Sequence, residues 1–201
     1  MKKSAKTATR RPERNPSTRK QQLLDAALNL FAEFGYHGVA VPMIAQAAGT
    51  STGTIYTYFE SKDALVNELF WMWKQALKAH YLIGYPIHAP TQEQFYFIWD
   101  RLHSYTDSHP QAFQFLEGQL HASYLADRCR QLEEEVFEIG REFVRAGQKA
   151  GVVKAAAPQV IVSFFFGAFV QYFKDSRAKR MVWSEAHSKE VRDLCWTAIA
   201  Q

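Results

Sequence analysis

Residues 44–59, IAQAAGTSTGTIYTYF, decide the fold of this chain. A short helical segment with apolar anchors at Ile44 and Ala48 is interrupted at Gly49. Ser51 then begins a second short helix, whose apolar anchor is Ile55. Two short helices joined by a tight turn that contains glycine form a helix-turn-helix, and the second helix of such a unit enters the major groove of DNA. The stretch therefore predicts a unit that reads DNA.

The positive charge of the chain is concentrated upstream of this stretch. The 201 residues carry 24 Lys or Arg and 20 Asp or Glu, a net charge of +4. Residues 1–20 hold eight of the basic groups and one acid, so the remaining 181 residues have a net charge of −3. Because the first residues are rich in Ser, Thr and Pro and lack apolar periodicity, we expect residues 1–17 to form a disordered basic arm. Such an arm suits nucleic-acid binding, and a simple solubility tail is the alternative.

Composition and motifs exclude several other classes of protein. Hydrophobic residues make up 47% of the chain, so we expect a packed core. The most apolar stretch, residues 160–173, is too short to span a bilayer, and no secretory signal is visible, so we expect a soluble cytoplasmic protein. Cys129 and Cys195 show no metal-binding spacing and are expected to be reduced, buried thiols. Since there is no phosphate-binding glycine loop, nucleophile elbow or paired-cysteine motif, we expect no enzyme activity, cofactor or metal.

Apolar residues recur at three- and four-residue spacing along the whole chain, which predicts an all-α fold of about nine helices. The first helix should start near Thr18 and end at Gly35, a typical C-terminal glycine. Ser51 and Ser61 are placed to cap the third and fourth helices, whereas Ala40 leaves the second without a side-chain cap. The later helices are expected at 62–80, 92–107, 110–124, 127–150, 158–179 and 185–200.

Apolar, glycine, hydroxyl and aromatic residues occur together at fixed spacing in residues 18–70: Ala27, Leu30, Phe31, Gly35, Tyr36, Ile44, Ala45, Ala48, Gly49, Ser51, Gly53, Thr54, Ile55, Tyr56, Tyr58, Phe59, Ser61, Lys62 and Leu65. In this pattern the chain resembles the N-terminal domain of TetR-type transcriptional regulators. The resemblance implies a DNA-binding domain at residues 18–65 and, at residues 66–201, a helical domain that binds a small effector and forms the homodimer. It also implies a repressor that leaves a palindromic operator when the effector binds. The alternative is a ligand-binding or interaction dimer of the same fold that does not bind specific DNA.

The first turn of the second short helix is the part of such a unit that meets base edges. Gly53 lets the backbone approach DNA closely, and the neighbouring hydroxyls offer contacts to bases or phosphates. Because no Lys or Arg lies in residues 21–60, residues 1–20 should supply much of the electrostatic attraction. For the two tyrosines, simple packing is the alternative to a phosphate contact. The predicted DNA-binding residues are Ser51, Thr52, Gly53, Thr54, Tyr56, Tyr58 and Lys62, with Arg19 and Lys20 from the basic segment.

The segment VIVSFFFGAFVQYF, residues 160–173, is apolar nearly all round. A helix that is apolar on every face must be buried on every face. We therefore expect this helix to pack on its own core and on a partner subunit, with helix 185–200 completing the interface. The predicted dimer contacts are Phe165, Gly167, Ala168, Phe169, Val191 and Leu194.

A pocket for an apolar or aromatic effector is predicted around helix 110–124. Its helical spacing would align Phe113, Glu117, His121 and Tyr124 on one face, and buried polar groups need partners. A hydrogen bond between Glu117 and His121 within the core is the alternative. These two residues with His103 could also approach a metal, but no third ligand is fixed by local spacing, so none is predicted. The predicted pocket residues are Trp99, His103, Phe113, Glu117, His121 and Tyr124.

Overall fold

A computed structural model describes residues 16–119 and 122–201, and the regular elements in these ranges are helices. The all-α prediction is confirmed, while residues 1–15 of the predicted basic arm lie outside the described residues. No helix in these ranges is long and apolar enough to cross a membrane. Cys129 and Cys195 are both free and buried. The helices are α1 (Pro16–Gly38), α2 (Val41–Ala47), α3 (Thr52–Tyr56), α4 (Lys62–Leu82), α5 (Thr91–Ser108), α6 (Pro110–Gly118), α7 (Asp127–Lys149), α8 (Pro158–Arg177) and α9 (Glu185–Ile199).

The chain divides into two compact units between Val66 and Asn67. We call residues 16–66 the reading unit; α1 contacts α2 there, and α2 contacts α3. Leu23, Ile44 and Ile55 lie in its core, at most 1% exposed. These side chains bury the apolar faces of α1, α2 and α3, so the polar faces of the short helices point outward.

The ends of the helices in the reading unit follow from individual residues. Ser51 Oγ accepts a hydrogen bond from the backbone N–H of Thr54 at 3.3 Å, which confirms the predicted cap of α3. Ser61 caps α4 in the same way, as predicted. At α2, the N–H of Ala40 donates instead to the sulfur of Met43 at 3.4 Å, and sulfur is a weak acceptor.

The second unit, residues 67–119 and 122–201, is called the cavity unit, and aromatic rings fill its core. The ring of Phe95 lies 6.2 Å from that of Trp99, 6.1 Å from Phe143 and 5.5 Å from Phe165, measured between centroids. Helix α8 contacts both α7 and α9, and α5 contacts α6 and α9. This packing buries one face of α8 between α7 and α9.

Helix α6 is shorter than the sequence predicts, because it ends at Gly118 rather than near residue 124. The segment that follows is held by Asn67, whose side chain donates to the carbonyl oxygen of Tyr124 at 2.9 Å and accepts from the N–H of Ala126 at 2.6 Å. Tyr124 therefore belongs to the segment between α6 and α7. The helical spacing that would align it with Glu117 does not apply beyond Gly118.

Candidate DNA-reading surface and effector cavity

Helix α3 presents a polar surface in the reading unit. Its anchor Ile55 is 1% exposed, whereas Tyr56 is 53% exposed. Gly53 is exposed, and Thr54 is half-buried, with its hydroxyl 3.0 Å from the oxygen of Ser51. The exposed surface of α3 therefore offers hydroxyls and a glycine backbone, and it carries no charge of its own. Of the other predicted reading residues, Ser51 is exposed and Thr52 and Tyr58 are half-buried.

Lys62 makes contacts within the reading unit itself. Its ammonium donates to the backbone oxygen of Tyr36 at 2.5 Å and lies 3.9 Å from the centroid of the aromatic ring of Tyr36. Burial lowers the pKa of Lys62, and the neighbouring Asp63 opposes this shift. The hydroxyl of Tyr36 contacts Asp63 in turn. Lys62 thus ties the start of α4 to the end of α1, and its phosphate contact stays a prediction.

Arg19 has a structural contact that the sequence does not suggest. Its guanidinium donates to the carbonyl oxygens of Ala48 at 3.3 Å and Gly49 at 3.2 Å, where α2 ends and the turn begins. Gly49 adopts a φ of 60°, in the left-handed region that glycine tolerates best. The neighbouring Lys20 lies 5.7 Å from the centroid of the Phe59 ring. Arg19 therefore braces the turn of the helix-turn-helix.

Two adjoining cavities open in the cavity unit. The outer one has a volume of about 970 Å³ and is lined by the end of α6, the segment between α6 and α7, and the helices α7 and α8. The inner one, of about 60 Å³, lies among α4, α5, α6, α7 and α8. Glu117, Phe137 and Phe166 line both cavities, so they form the boundary between the two spaces.

The inner cavity combines apolar walls with buried ionisable groups. Lys74, only 4% exposed, donates to a carboxylate oxygen of Glu133 at 3.1 Å. Burial raises the pKa of Glu117 to about 7, although Lys74 and Lys174 act in the opposite direction. Burial also raises the pKa of Tyr81, which keeps its hydroxyl neutral. The inner cavity therefore has apolar walls with a few polar groups, the combination that is common in effector pockets, in a space of only about 60 Å³.

The structure separates the residues predicted to form one pocket. Phe113 and Glu117 do line the inner cavity. Trp99 instead lies in the core, where its indole N–H donates to Ser188 at 2.9 Å. His103 lies in a different, surface groove, with its ring 4.6 Å from that of Trp183 between centroids.

Tyr124 is likewise absent from the lining of the two cavities, and its hydroxyl contacts Gln119. His121 lies outside the described residues. The prediction of a single pocket is therefore corrected for Trp99, His103 and Tyr124, which the fold places outside the two cavities, while the role of His121 stays a prediction. Sequence reasoning missed Lys74, Phe137 and Phe166; a lysine within the apolar stretch of α4 was the available signal.

The predicted dimer residues also divide into two sets. Phe165 and Phe169 are 5% and 0% exposed and belong to the core of their own protomer, which corrects their assignment to the interface. The 3.6-residue period of α8 turns its other face outward, where Phe164 is 50% exposed and Val160 is 62% exposed. Of the remaining predicted contacts, Leu194 is 71% exposed, Gly167 is exposed, and Ala168 and Val191 are half-buried.

Comparisons with known proteins agree with both units. Residues 23–69 match the family model described as bacterial regulatory proteins, tetR family, and residues 70–201 match a tetracyclin repressor-like C-terminal domain. The chain belongs to the TetR family. TetR regulators control transcription, bind DNA operators and small-molecule effectors, and act as dimers.

Several TetR relatives and structures are similar to this chain. An uncharacterised HTH-type regulator of Bacillus subtilis, YhgD, is 20% identical over 171 residues, which span 84% of this chain and 86% of that protein. The regulator RutR of Escherichia coli is 36% identical over 83 residues, or 39% of each chain. A TetR regulator from Marinobacter aquaeolei superposes with a TM-score of 0.80 at 20% identity, covering 92% of this chain and 97% of the other. The structural likeness shows the fold.

Proposed function

We propose that this TetR-family regulator is a repressor that binds a palindromic operator through α3 and leaves it when a small, largely apolar or aromatic molecule occupies the cavity unit. The observation that carries the proposal is the outward hydroxyl surface of α3, set on a buried Ile55. The reader then corresponds to residues 18–65, and the effector and dimer functions to residues 66–201.

The chemistry of α3 supports selection of sequence more than general attraction to DNA. Hydroxyls and methyl groups can distinguish base edges in the major groove, whereas phosphate binding depends on cations. The reading unit has three basic residues, Arg19, Lys20 and Lys62, against four acids. The proposal therefore assigns most of the phosphate attraction to residues 1–17, with Arg19 and Lys20 beside them.

The outward face of α8 supports a homodimer. Val160, Phe164 and Gly167 follow one another at four- and three-residue spacing and are all exposed, as is Leu194 on α9. Exposed apolar side chains grouped on one surface mark an interaction site. A two-fold dimer would match the symmetry of a palindromic operator. We expect Phe164→Glu to give a monomer in sedimentation equilibrium, while Lys174→Glu on the same face leaves the dimer intact.

Selection of bound sequences from a random DNA pool tests the DNA-binding role, because the pool contains candidate operators of every sequence. We expect the unmodified chain to enrich a palindrome. The double variant Thr54→Ala with Tyr56→Phe should lose that enrichment, whereas Thr197→Ala, which removes an exposed hydroxyl from α9, should retain it. Failure of the unmodified chain to enrich any sequence would favour a dimer that binds ligand without specific DNA.

A further inference from the structure

The cations that line the two cavities already have acidic partners within the cavity unit. Lys74 pairs with Glu133 at 3.1 Å. Arg141 pairs with Glu134 at 2.5 Å and also with Glu138. The remaining lining cation, Arg130, pairs with Asp127 at 2.6 Å. An anionic ligand would therefore have to compete with an existing ion pair for its positive partner.

Glu117 differs from these groups. Its side chain lines both the inner and the outer cavity, yet no hydrogen bond or ion pair joins its carboxyl group to another residue in the described parts of the chain. Glu117 is half-buried, and the partial removal of its carboxylate from water raises its pKa to about 7. This carboxyl group can therefore still pair with one positive group of a ligand in the outer cavity.

The walls beside Glu117 suit the rest of such a ligand. The rings of Phe137 and Phe166 meet edge to face, with 5.8 Å between their centroids, and both line the two cavities. Phe113 and Phe165 extend the apolar surface into the inner cavity. Aromatic faces attract cations as well as apolar groups. The carboxyl group and the rings together form a site with one negative position and a continuous apolar wall.

We propose that the effector is an amphipathic cation, whose positive group pairs with Glu117 and whose apolar body lies against Phe137 and Phe166. The inference names the chemical class of the effector and rests on the proposed function. The larger part of the ligand occupies the outer cavity of about 970 Å³, because the inner cavity of about 60 Å³ has room only for a small apolar tip.

The protonation of Glu117 makes this binding depend on pH. The groups that act on it are Lys74 and Tyr81 of α4, Glu133 of α7 and Lys174 of α8. Below a pH of about 7 the carboxyl group is protonated and neutral, so a cation gains less from pairing with it. The affinity for a permanent cation should therefore rise as the pH increases from about 6 to about 8, by up to about tenfold per pH unit on the acidic side.

Three probes that share a phenylpropyl body and differ in their headgroup test the proposal on the full chain by isothermal titration calorimetry. We expect the trimethylammonium probe to bind about tenfold more tightly than the alcohol or the carboxylate at pH 8. Glu117→Gln should reduce this preference to less than about twofold and abolish its pH dependence. Glu142→Gln, the same change at an exposed position of α7, should leave both unchanged.

Equal binding of the three probes, or tighter binding of the carboxylate, would overturn the inference. If Glu117→Gln fails to fold, the pH series on the unmodified chain tests the proposal alone. The proposal requires the affinity for the permanent cation to rise with pH, and an affinity that does not rise would contradict it. The selection of DNA sequences is independent of this titration. A chain that enriches a palindrome but shows no preference for the cation keeps the proposed function and contradicts only the effector class.

Discussion

In the reading unit, the cations lie near the surface and donate to backbone carbonyls, as Arg19 does at Gly49 and Lys62 does at Tyr36. In the cavity unit, Lys74 is buried in an ion pair, and the half-buried carboxyl group of Glu117 lies beside aromatic rings with no hydrogen bond or ion pair to the described residues. A surface hydroxyl or guanidinium stays hydrated in the folded state, whereas removing a carboxylate from water without a partner opposes folding. The two units therefore differ in how their polar groups affect stability: the surface groups of the reading unit reduce the free energy of unfolding little, whereas the half-buried carboxyl group of the cavity unit lowers it.

The largest effect on operator affinity is expected from removing the basic residues that precede the reading unit. Residues 1–15 carry six Lys or Arg and one Glu. Removing residues 1–17 should lower operator affinity by about 10² to 10³ at low salt and reduce the slope of log affinity against log salt by up to about five. Fluorescence anisotropy across a salt series measures both quantities. A full-length arm with the six cations replaced by Ser should behave like the deletion; unchanged affinity in both variants would contradict the role of the arm.

The second prediction concerns the effect of Glu117 on the stability of the folded chain. Its pKa of about 7 lies above the value near 4.5 of an unfolded glutamate, so the native state holds the proton more tightly. The raised pKa of Glu117 makes a contribution to the free energy of unfolding that is complete below pH 4.5 and is lost as the pH rises through 7. Glu117→Gln should therefore raise the free energy of unfolding by up to about 3 kcal/mol at pH 8 and by much less near pH 4. Urea denaturation at several pH values, with Glu142→Gln as the control, measures the difference.

The third prediction separates the structural role of Arg19 from its charge. Arg19→Ala removes two hydrogen bonds to the turn and should lower the free energy of unfolding by about 1 kcal/mol. Lys20→Ala removes the same charge next to it without touching the turn. Both variants should weaken operator binding, and Arg19→Ala should lower the melting temperature of the reading unit by more than Lys20→Ala, which removes the contact with the Phe59 ring. Equal melting temperatures would show that the brace contributes nothing to stability.

The smallest effects come from two glycines that have opposite roles. Gly49 has a φ of 60° with open space around it, so Gly49→Ala should cost about 1 kcal/mol of stability through backbone strain alone. At Gly53 a Cβ atom would meet only the oxygen of Ser51 at 3.8 Å, so Gly53→Ala should be neutral or slightly stabilising. The added methyl group lies on the reading surface and should still weaken operator binding. Thermal melts measure the stability of both variants, and fluorescence anisotropy measures their operator binding.

The sequence predicts the reading unit well because its determinants are local. Gly49, Ser51 and Ile55 lie within seven residues, and their backbone roles follow from residue type alone. The cavity is different, because Lys74, Glu117 and Phe166 come from three helices that only tertiary packing brings together. Gly118 ends α6 at a position that the apolar pattern alone continues.

The outward face of α8 could not be predicted for a related reason. The segment is apolar on every side, so its pattern cannot distinguish Phe164 from Phe165. Packing against α7 and α9 makes the distinction, because it buries Phe165 and leaves Phe164 half exposed.

The absence of charge on the reading helix has a consequence for how the regulator chooses among sites in a genome. Attraction through phosphates is shared by every sequence, so salt weakens binding to the operator and to all competing DNA together. In the proposed mode of binding, the contacts that would separate one sequence from another come from Thr52, Gly53 and Thr54, which carry no net charge. The ratio between operator and competitor affinities should therefore stay nearly constant as ionic strength changes, and the choice of site becomes independent of the salt content of the cell.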